Sequence, residues 1–324
     1  MDKDKSLQLK GVAILMMLFL HLFNTLERVG ECTTYINFLN GKPLVYAVAR
    51  VCGLCVPIYL FISGYGLAKS KNLDTTALFR RLCRVYSHYW LVFAIFIPLG
   101  CIVVPSVYPG NVLECVLNFF SVSVSYNGEW WFLLPYALLL FLARWLVPLV
   151  RRCSSWQNAL VFTLLYGLSV FAMNTKGAWD GNLLWLRTLH LLLVLPAFYA
   201  GAYCASHLPE KCWTVGSLKW PLGWLVLLVF VRCFIGASIV NVLFCLPFIL
   251  LLVQLHVPSP LQAFLRFFGR YSTFMWLTHT FYAYYFFHED LYNLHYPLII
   301  YAVLVFVSLL TAMGLDGVYK LLEK

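Results

Sequence analysis

The stretch LKGVAILMMLFLH, residues 9–21, decides the fold of this chain. Ten residues of apolar character separate Lys10 from His21, so a helix would place the histidine about 16 Å beyond the lysine. Eleven helical steps come close to three full turns, which puts both side chains on one face. With Lys10 at the cytoplasmic interface, His21 should lie near the midplane of a hydrocarbon core about 30 Å thick. Such a side chain either faces a polar pathway or joins neighbouring helices through hydrogen bonds, and this stretch leaves both interpretations open.

Composition indicates an integral membrane protein. Of the 324 residues, 62% are hydrophobic and 11% are charged, whereas soluble domains average about 25% charged residues. No polar stretch is long enough to fold as an appended soluble domain, so we expect residues 1–324 to form a single membrane domain. The first apolar run has no clear small-residue cleavage site and carries a histidine, which argues against a cleaved signal peptide.

The net charge of +10 is explained by topology. The basic residues cluster beside apolar spans, so their expected partners are anionic lipid headgroups and not nucleic acid. Eleven cysteines are scattered along the chain, and Cys52 and Cys55 form a C-x-x-C inside an apolar run. Because no second motif or histidine cluster accompanies it, we predict neither a redox site nor a metal site.

Apolar runs predict an all-α bundle of about ten transmembrane helices. The predicted spans are 7–27, 44–66, 86–106, 130–149, 156–173, 183–205, 220–237, 239–256, 271–288 and 296–315. Spans seven and eight are separated only weakly, by Gly236, Ser238 and Asn241. Merging them would give nine spans and would place the two termini on opposite sides of the membrane. A short interfacial helix is expected at 114–120.

The distribution of basic residues favours ten spans. With the N-terminus in the cytoplasm, the cytoplasmic side holds 17 of the 23 lysines and arginines, in agreement with the positive-inside rule. The other six are Arg28, Lys42, Arg50, Lys176, Arg187 and Arg232. Both termini are therefore predicted to be cytoplasmic. The 17 basic residues on that side include Lys324. The sequence shows no evident internal repeat.

Polar residues continue beyond His21. On the first predicted span, Asn24, Thr25 and Arg28 continue the face of the histidine at i+3, i+4 and i+7, which predicts a polar stripe from Lys10 to Arg28. Such a polar stripe should face the protein interior, because lipid would not accommodate it.

Arginines gather at the cytoplasmic side before the third predicted span, in the sequence FRRLCRVYSHYW. Arg80, Arg81 and Arg84 carry guanidinium groups, which bind phosphates bidentately. Ordinary positive-inside anchoring is the more common explanation of such a run.

Two segments near the outer side carry further candidate groups. In NGEWWF, residues 127–132, two tryptophans fit an interfacial aromatic belt, but Glu129 beside them also resembles a carbohydrate contact. In the ninth span, His279 lies about 13 Å beyond Arg270 by helical rise, with Ser272 on its face. Two histidines at matching depth favour a shared site.

Five segments in sequence order resemble the acyltransferase-3 family of multi-pass membrane proteins. They are LKGVAILMMLFLH (9–21), VPIYLFISGYGLA (56–68), RRLCRVYSHYW (80–90), NGEWWFLLPY (127–136) and GRYSTFMWLTH (269–279). The middle of the chain, about 155–255, is matched only by hydrophobicity and order. Two positions depart from the family pattern, since Ser87 stands where proline is frequent and Lys10 where arginine is frequent.

The resemblance implies transfer of an acyl group, usually acetyl, from cytoplasmic acyl-CoA to a hydroxyl of a surface or exported carbohydrate, or of its lipid-linked precursor. The residues expected to bind acyl-CoA are Lys10, Ser63, Arg80, Arg81 and Arg84. His21 would be a general base or a transient acyl carrier, and His279 and Ser272 would orient it or hold the oxyanion. The residues expected on the acceptor side are Arg50, Glu129, Trp130 and Trp131.

A multi-pass transporter is the alternative, with His21 and His279 as a proton relay. Transporters usually show repeat symmetry between their halves, and none is evident here. A scaffold without a ligand is disfavoured by the deep ionisable residues. We expect the protein in the inner or plasma membrane of a bacterium. The acceptor sugar, the length of the acyl chain and the formation of a homo-oligomer stay open.

Overall fold

The computed structural model describes residues 1–38, 41–175, 177, 181–216 and 218–323. These residues form an all-α structure without a β-strand, with 79% of the chain in helices. Lys176 and Lys324, which entered the charge count, lie outside the described residues.

The described residues form fourteen α-helices. In chain order they are α1 Lys3–Phe23, α2 Leu26–Gly30, α3 Leu44–Cys52, α4 Cys55–Lys69, α5 Thr75–Val103, α6 Val112–Phe119, α7 Leu133–Arg152, α8 Ser155–Asn174, α9 Leu183–His207, α10 Pro221–Phe234, α11 Asn241–Gln254, α12 Ser259–Thr280, α13 His288–Tyr292 and α14 Pro297–Leu322. A 3-10 turn at Gly128–Phe132 leads directly into α7, and a π-helical turn at Phe281–Tyr285 follows α12.

A helix lies at or overlaps each of the ten predicted positions, although α12 begins twelve residues before the predicted ninth span, 271–288. Among the described residues, seven helical segments are long and apolar enough to cross a membrane, with α3 and α4 counted as one segment. The other three are α10 and α11, with 14 residues each, and the more polar α12, with 22 residues. The predicted all-α polytopic bundle is therefore confirmed, while the count of ten crossings stays a prediction.

Reciprocal glycines set the contact between α1 and α12. A Cβ built on Gly11 would lie 2.0 Å from the carbonyl oxygen of Leu265, and one on Gly269 would lie 2.0 Å from that of Leu7. Small residues of this kind let membrane helices approach backbone to backbone. The helices α4 and α9 pack in the same way, because Gly64 faces the carbonyl of Phe198 and Gly201 faces that of Phe61.

The helices α1 and α12 run parallel. Their contacts begin near Gly11 and Leu265 and end with His21 and His279, so residue numbers rise together along both helices. Parallel packing requires an even number of chain reversals between them. Separate α10 and α11 meet this requirement, whereas one merged span would have left α12 antiparallel to α1.

The first helix ends earlier than predicted. Asn24 closes α1, and the hydroxyl of Thr25 accepts a hydrogen bond from the backbone N–H of Arg28, 3.4 Å away, at the start of α2. Both are residue types that favour helix ends over helix interiors. The predicted continuous polar stripe is therefore wrong, because the chain turns after Phe23.

The helix at the third predicted span, α5, begins earlier than predicted. The side chain of Asp74 accepts a hydrogen bond of 2.6 Å from the N–H of Ala77, which caps α5 and lowers the pKa of this carboxyl. The arginines at 80–84 therefore lie in the first turns of a helix that continues to Val103, and not in a loop. A short helix is present at the predicted position 114–120 as α6, and its place at the membrane interface stays a prediction.

Candidate active site

Two histidines and a glutamate meet where α1, α12 and the 3-10 turn converge. His21 Nδ1 lies 2.6 Å from His279 Nε2, and His21 Nε2 lies 3.1 Å from Glu129 Oε2. The imidazole rings stack with centroids 4.9 Å apart. His279 is 0% exposed and His21 is 7% exposed. The predicted meeting of the two histidines is confirmed, but each lies in the last turn of its helix and not halfway along it.

The helix ends suit the charges of these three groups. A helix C-terminus favours positive charge and a helix N-terminus favours negative charge. His21 and His279 lie at C-terminal ends, while Glu129 lies in the first turn of the segment that leads into α7. The start of this segment therefore favours the negative charge of the Glu129 carboxylate.

A shared sequence pattern places the two rings at one height. Residues 7–21 and 265–279 both read Leu-x3-Gly-x5-Met-x3-His. In each helix the histidine stands ten residues beyond the crossing glycine, about 15 Å by helical rise. This short internal similarity was not recognised in the sequence, although it carries the signal that the two histidines should meet.

The position of Glu129 is fixed by hydrogen bonds to α12. The Oδ1 of Asn127 accepts hydrogen bonds from the N–H of Glu129 at 3.1 Å and from the hydroxyl of Thr280 at 2.9 Å. The indole of Trp276 donates to the carbonyl of Glu129 at 3.2 Å. The N–H of Gly128 donates to the hydroxyl of Tyr285 at 2.8 Å. The carboxylate is thus aimed at His21 by the helix that carries His279.

Trp130 anchors the same turn from within the core. It is fully buried, its indole donates to the carbonyl of Leu277 at 3.0 Å, and its ring packs edge-on against Tyr89 and Phe281. The predicted contact of Trp130 with an acceptor is therefore wrong, because none of its surface is accessible. The sequence could not separate it from Trp131, which does face a cavity.

Arg28 and Tyr284 close the outer end of α1. Arg28 donates to the carbonyl of His21 and to the hydroxyl of Tyr284, and its guanidinium lies 4.6 Å from the centre of the tyrosine ring. The Tyr284 hydroxyl donates to the same carbonyl of His21 at 2.5 Å. Tyr284 belongs to the π-helical turn after His279, and such turns are frequent at functional sites. Sequence reasoning did not single it out.

A cavity of about 490 Å³ leads to the histidine–glutamate cluster. It begins beside Lys3, Ser6 and Arg81, near the starts of α1 and α5, and reaches His21 and Glu129. Its aromatic lining residues are Tyr59, Trp131, Phe132, Tyr136 and Trp276. It is therefore cationic at one end, aromatic along its wall, and equipped with acid–base groups at the other end.

A family model described as an acyltransferase domain, that of the acyltransferase-3 family, matches residues 7–316. The chain belongs to the acyltransferase-3 family. No curated protein and no solved structure matches it. Membership confirms the predicted family and indicates an acyltransferase in a multi-pass membrane protein, while transfer to a hydroxyl oxygen stays a prediction.

The acyltransferase brings most of the predicted site residues to this one cavity. Those that line it are Lys10, His21, Ser63, Arg81, Glu129, Trp131 and Ser272. Those that do not line it are Arg50, Arg80, Arg84, Trp130 and His279. Lys10 faces the cavity between Arg81 and His21, and its ammonium has no hydrogen bond or ion pair with any described residue.

Two predicted residues of the acyltransferase lie away from the histidines. Ser272 stands seven residues before His279, about 10 Å toward the start of α12, and its hydroxyl donates to the carbonyl of Gly269 at 2.9 Å. It lines the middle of the cavity, too far from the histidines to hold an oxyanion there. Arg50 donates to the hydroxyl of Tyr46 at 3.3 Å and lies outside the cavity lining.

Proposed function

We propose that this acyltransferase moves an acyl group, acetyl in the simplest case, from cytoplasmic acyl-CoA to a hydroxyl of a carbohydrate. The observation that carries the proposal is the single cavity from Arg81 and Lys10 to His21 and Glu129. The expected setting is the inner or plasma membrane of a bacterium, with a surface or exported glycan, or its lipid-linked precursor, as acceptor.

The cationic end of the cavity suits the donor. Coenzyme A carries several phosphate charges that cannot enter lipid, so they should stay near Lys3 and Arg81, where cationic side chains bind phosphate. Further along the cavity, Lys10 offers an ammonium that has no partner among the residues that the structure describes. Hydroxyls of Tyr59 and Ser272 line the path between them and the histidines, where the amides of the pantetheine arm would pass.

His21 is the group best placed to activate an acceptor. Its Nδ1 is engaged by His279, so Nε2, on the side of Glu129, is the nitrogen available to a substrate. In the proposed step the acceptor hydroxyl replaces the Glu129 carboxylate as the neighbour of Nε2 and gives its proton to Nε2. Its oxygen forms a bond to the thioester carbonyl carbon, the carbon–sulfur bond breaks, and the proton passes from Nε2 to the sulfur of coenzyme A.

Glu129 acquires a role that differs from simple acceptor binding. A carboxylate beside a histidine stabilises the imidazolium that forms during proton transfer, as in hydrolase triads. Trp131, Phe132 and Trp276 stand in the same part of the cavity. Aromatic rings provide apolar faces with polar edges, which suits a sugar ring whose hydroxyls point toward Glu129.

The test is transfer of radiolabelled acetyl from acetyl-CoA to glycans of the host cell by the purified protein in lipid nanodiscs. We expect His21→Ala to lose transfer by about 10²- to 10⁴-fold, the usual contribution of a general base. His256→Ala, in an exposed loop, is the matched control and should retain activity. Near wild-type transfer by His21→Ala would contradict the proposal.

A further inference from the structure

The proton on His279 has a fixed position. Its Nδ1 lies 3.1 Å from the carbonyl oxygen of Met275 and 2.8 Å from that of Trp276. Carbonyl oxygens only accept hydrogen bonds, so this nitrogen must carry the hydrogen. A neutral imidazole protonated at Nδ1 offers a lone pair at Nε2. The backbone carbonyls of α12 therefore determine that a neutral His279 directs the lone pair of Nε2 toward His21.

The next proton in the chain follows from the first. His279 Nε2 lies 2.6 Å from His21 Nδ1, within hydrogen-bond distance. Because His279 accepts at Nε2, His21 must donate from Nδ1. In a neutral His21 the lone pair then lies at Nε2, the nitrogen that faces Glu129.

Glu129 alone would favour the opposite arrangement. A carboxylate accepts hydrogen bonds, so at 3.1 Å from Nε2 it would favour a proton on that nitrogen and leave the lone pair at Nδ1. With Nδ1 already protonated, His21 and Glu129 together hold one additional proton when they contact each other. Release of that proton from the pair to water in the cavity leaves Nε2 free as a base.

We propose that His279 is a positioning residue that holds His21 in the form protonated at Nδ1, so that Nε2 is the nitrogen that exchanges protons with substrate. His279 is fully buried and does not line the cavity, so it does not touch substrate itself. What Nε2 does with the proton rests on the proposed function, whereas the position of the proton on His21 does not. During transfer Nε2 gains one proton from the acceptor and returns it to sulfur, while His279 keeps its own.

The helix crossing supports this role. The glycines at 11 and 269 fix the distance between α1 and α12 through backbone contacts, and each histidine follows its glycine by ten residues. The hydrogen bond between the rings is thus held by the scaffold. A positioning residue must be rigid to fix the orientation and the tautomer of its partner.

Two substitutions separate positioning from simple packing. His279→Gln can place an amide oxygen where Nε2 stands and so still accepts from His21 Nδ1, whereas His279→Leu cannot accept. We expect His279→Leu to lose kcat by about 10²- to 10⁴-fold, as when a triad loses the group that fixes its tautomer, with KM for acetyl-CoA unchanged. His279→Gln should stay within about tenfold of wild type. Thr278→Val, a buried change one residue away, is the control and should stay within a few-fold.

The direct measurement is ¹⁵N NMR of histidine-labelled protein in nanodiscs without substrate, with His21 assigned by its loss in His21→Ala. We expect a proton on Nδ1 of His21 in wild type and in His279→Gln, and loss of the Nδ1 proton in His279→Leu, where Glu129 then keeps the single proton of a neutral His21 on Nε2. An unprotonated Nδ1 in wild type would overturn the proposal, even if His279→Leu fails to fold. A protonated Nδ1 in a protein without transfer activity would contradict the proposed function and leave this proposal intact.

Discussion

Two helix pairs in this protein each bury an ionisable side chain, and they use it differently. In α1 and α12, His21 meets His279 and still turns one nitrogen toward Glu129 and a cavity. In α10 and α11, Arg232 is fully buried but donates to the Asn241 side chain at 2.6 Å and to the carbonyl of Ile235 at 2.5 Å. Burial of an ionisable group therefore does not identify a site by itself.

The surroundings of the two pairs explain the difference. The outer faces of α10 carry large exposed apolar residues such as Leu222, Trp224 and Val226, which suit contact with lipid. Arg232 donates to the carbonyl of Ile235, which the end of α10 leaves open, and to the side chain of Asn241, the first residue of α11. The histidine pair, by contrast, has one nitrogen whose neighbour can be exchanged for a substrate.

Among the variants that test this comparison, the largest effect should come from Glu129→Gln, which keeps the shape of the side chain and removes its charge. We expect kcat to fall by about a hundredfold or more, because the imidazolium of His21 loses its carboxylate. Glu31→Gln is the matched control, since Glu31 also pairs with a histidine, His288, at 3.0 Å but on the surface. The measurement is single-turnover acetyl transfer. An equal loss of kcat in both variants would show that Glu129 contributes no more to transfer than the surface residue Glu31.

A smaller effect separates the arginines of α5. Arg81 lines the cavity and Arg80 does not. Arg81→Gln should weaken acetyl-CoA binding by about ten- to a hundredfold, since a hydrogen bond to a charged group contributes about 1.5–3 kcal/mol. Arg80→Gln should change the Kd far less. Calorimetric titration with acetyl-CoA measures the Kd of both variants. Equal affinities would indicate that these arginines only anchor the helix by the positive-inside rule.

The crossing glycines should affect stability and activity together. Gly269→Ala would place a Cβ 2.0 Å from the carbonyl oxygen of Leu7, and overpacking of this kind costs about 1–3 kcal/mol. Gly314→Ala, in α14, meets nothing within 4 Å and is the control. We expect only the first variant to lower the thermal unfolding midpoint and acetyl transfer. An unchanged unfolding midpoint would show that α1 and α12 can move apart without loss of stability, which would contradict this prediction.

The smallest effect on transfer is expected at Arg232. Arg232→Leu leaves Asn241 and the carbonyl of Ile235 without their donor, which should cost about 1–3 kcal/mol of stability. Acetyl transfer per folded molecule should stay within about twofold of wild type. A loss of transfer comparable to that of Glu129→Gln would show that Arg232 also serves the reaction, which would contradict the difference drawn between the two helix pairs.

The sequence predicted the bundle and part of the site for identifiable reasons. Apolar runs located the long helices, and helical rise placed His21 and His279 at matching heights. The contact with Glu129 was not predicted, because it depends on a 3-10 turn whose position is fixed by hydrogen bonds with Asn127 and Trp276. Local pattern carries no information on such a contact.

Other errors came from residues whose type allows two environments. Trp130 and Trp131 are identical in sequence terms, yet one is buried in the core and the other lines the cavity. Arg50 and Arg81 are both arginines near membrane interfaces, and only packing decides which one faces the cavity. The end of α1 at Phe23 could have been recognised, because Asn24 and Thr25 are residues typical of helix ends.

The central claim is that one cavity connects the donor's phosphates to His21. Its most direct test is a cryo-electron microscopy structure in nanodiscs with a thioether analogue of acetyl-CoA, in which the scissile bond is stable. We predict phosphate density beside Arg81 and the analogue's carbonyl near His21 Nε2, with room for one hydroxyl oxygen at about 3 Å from each. Donor density outside this cavity, or a carbonyl directed away from His21, would contradict the account.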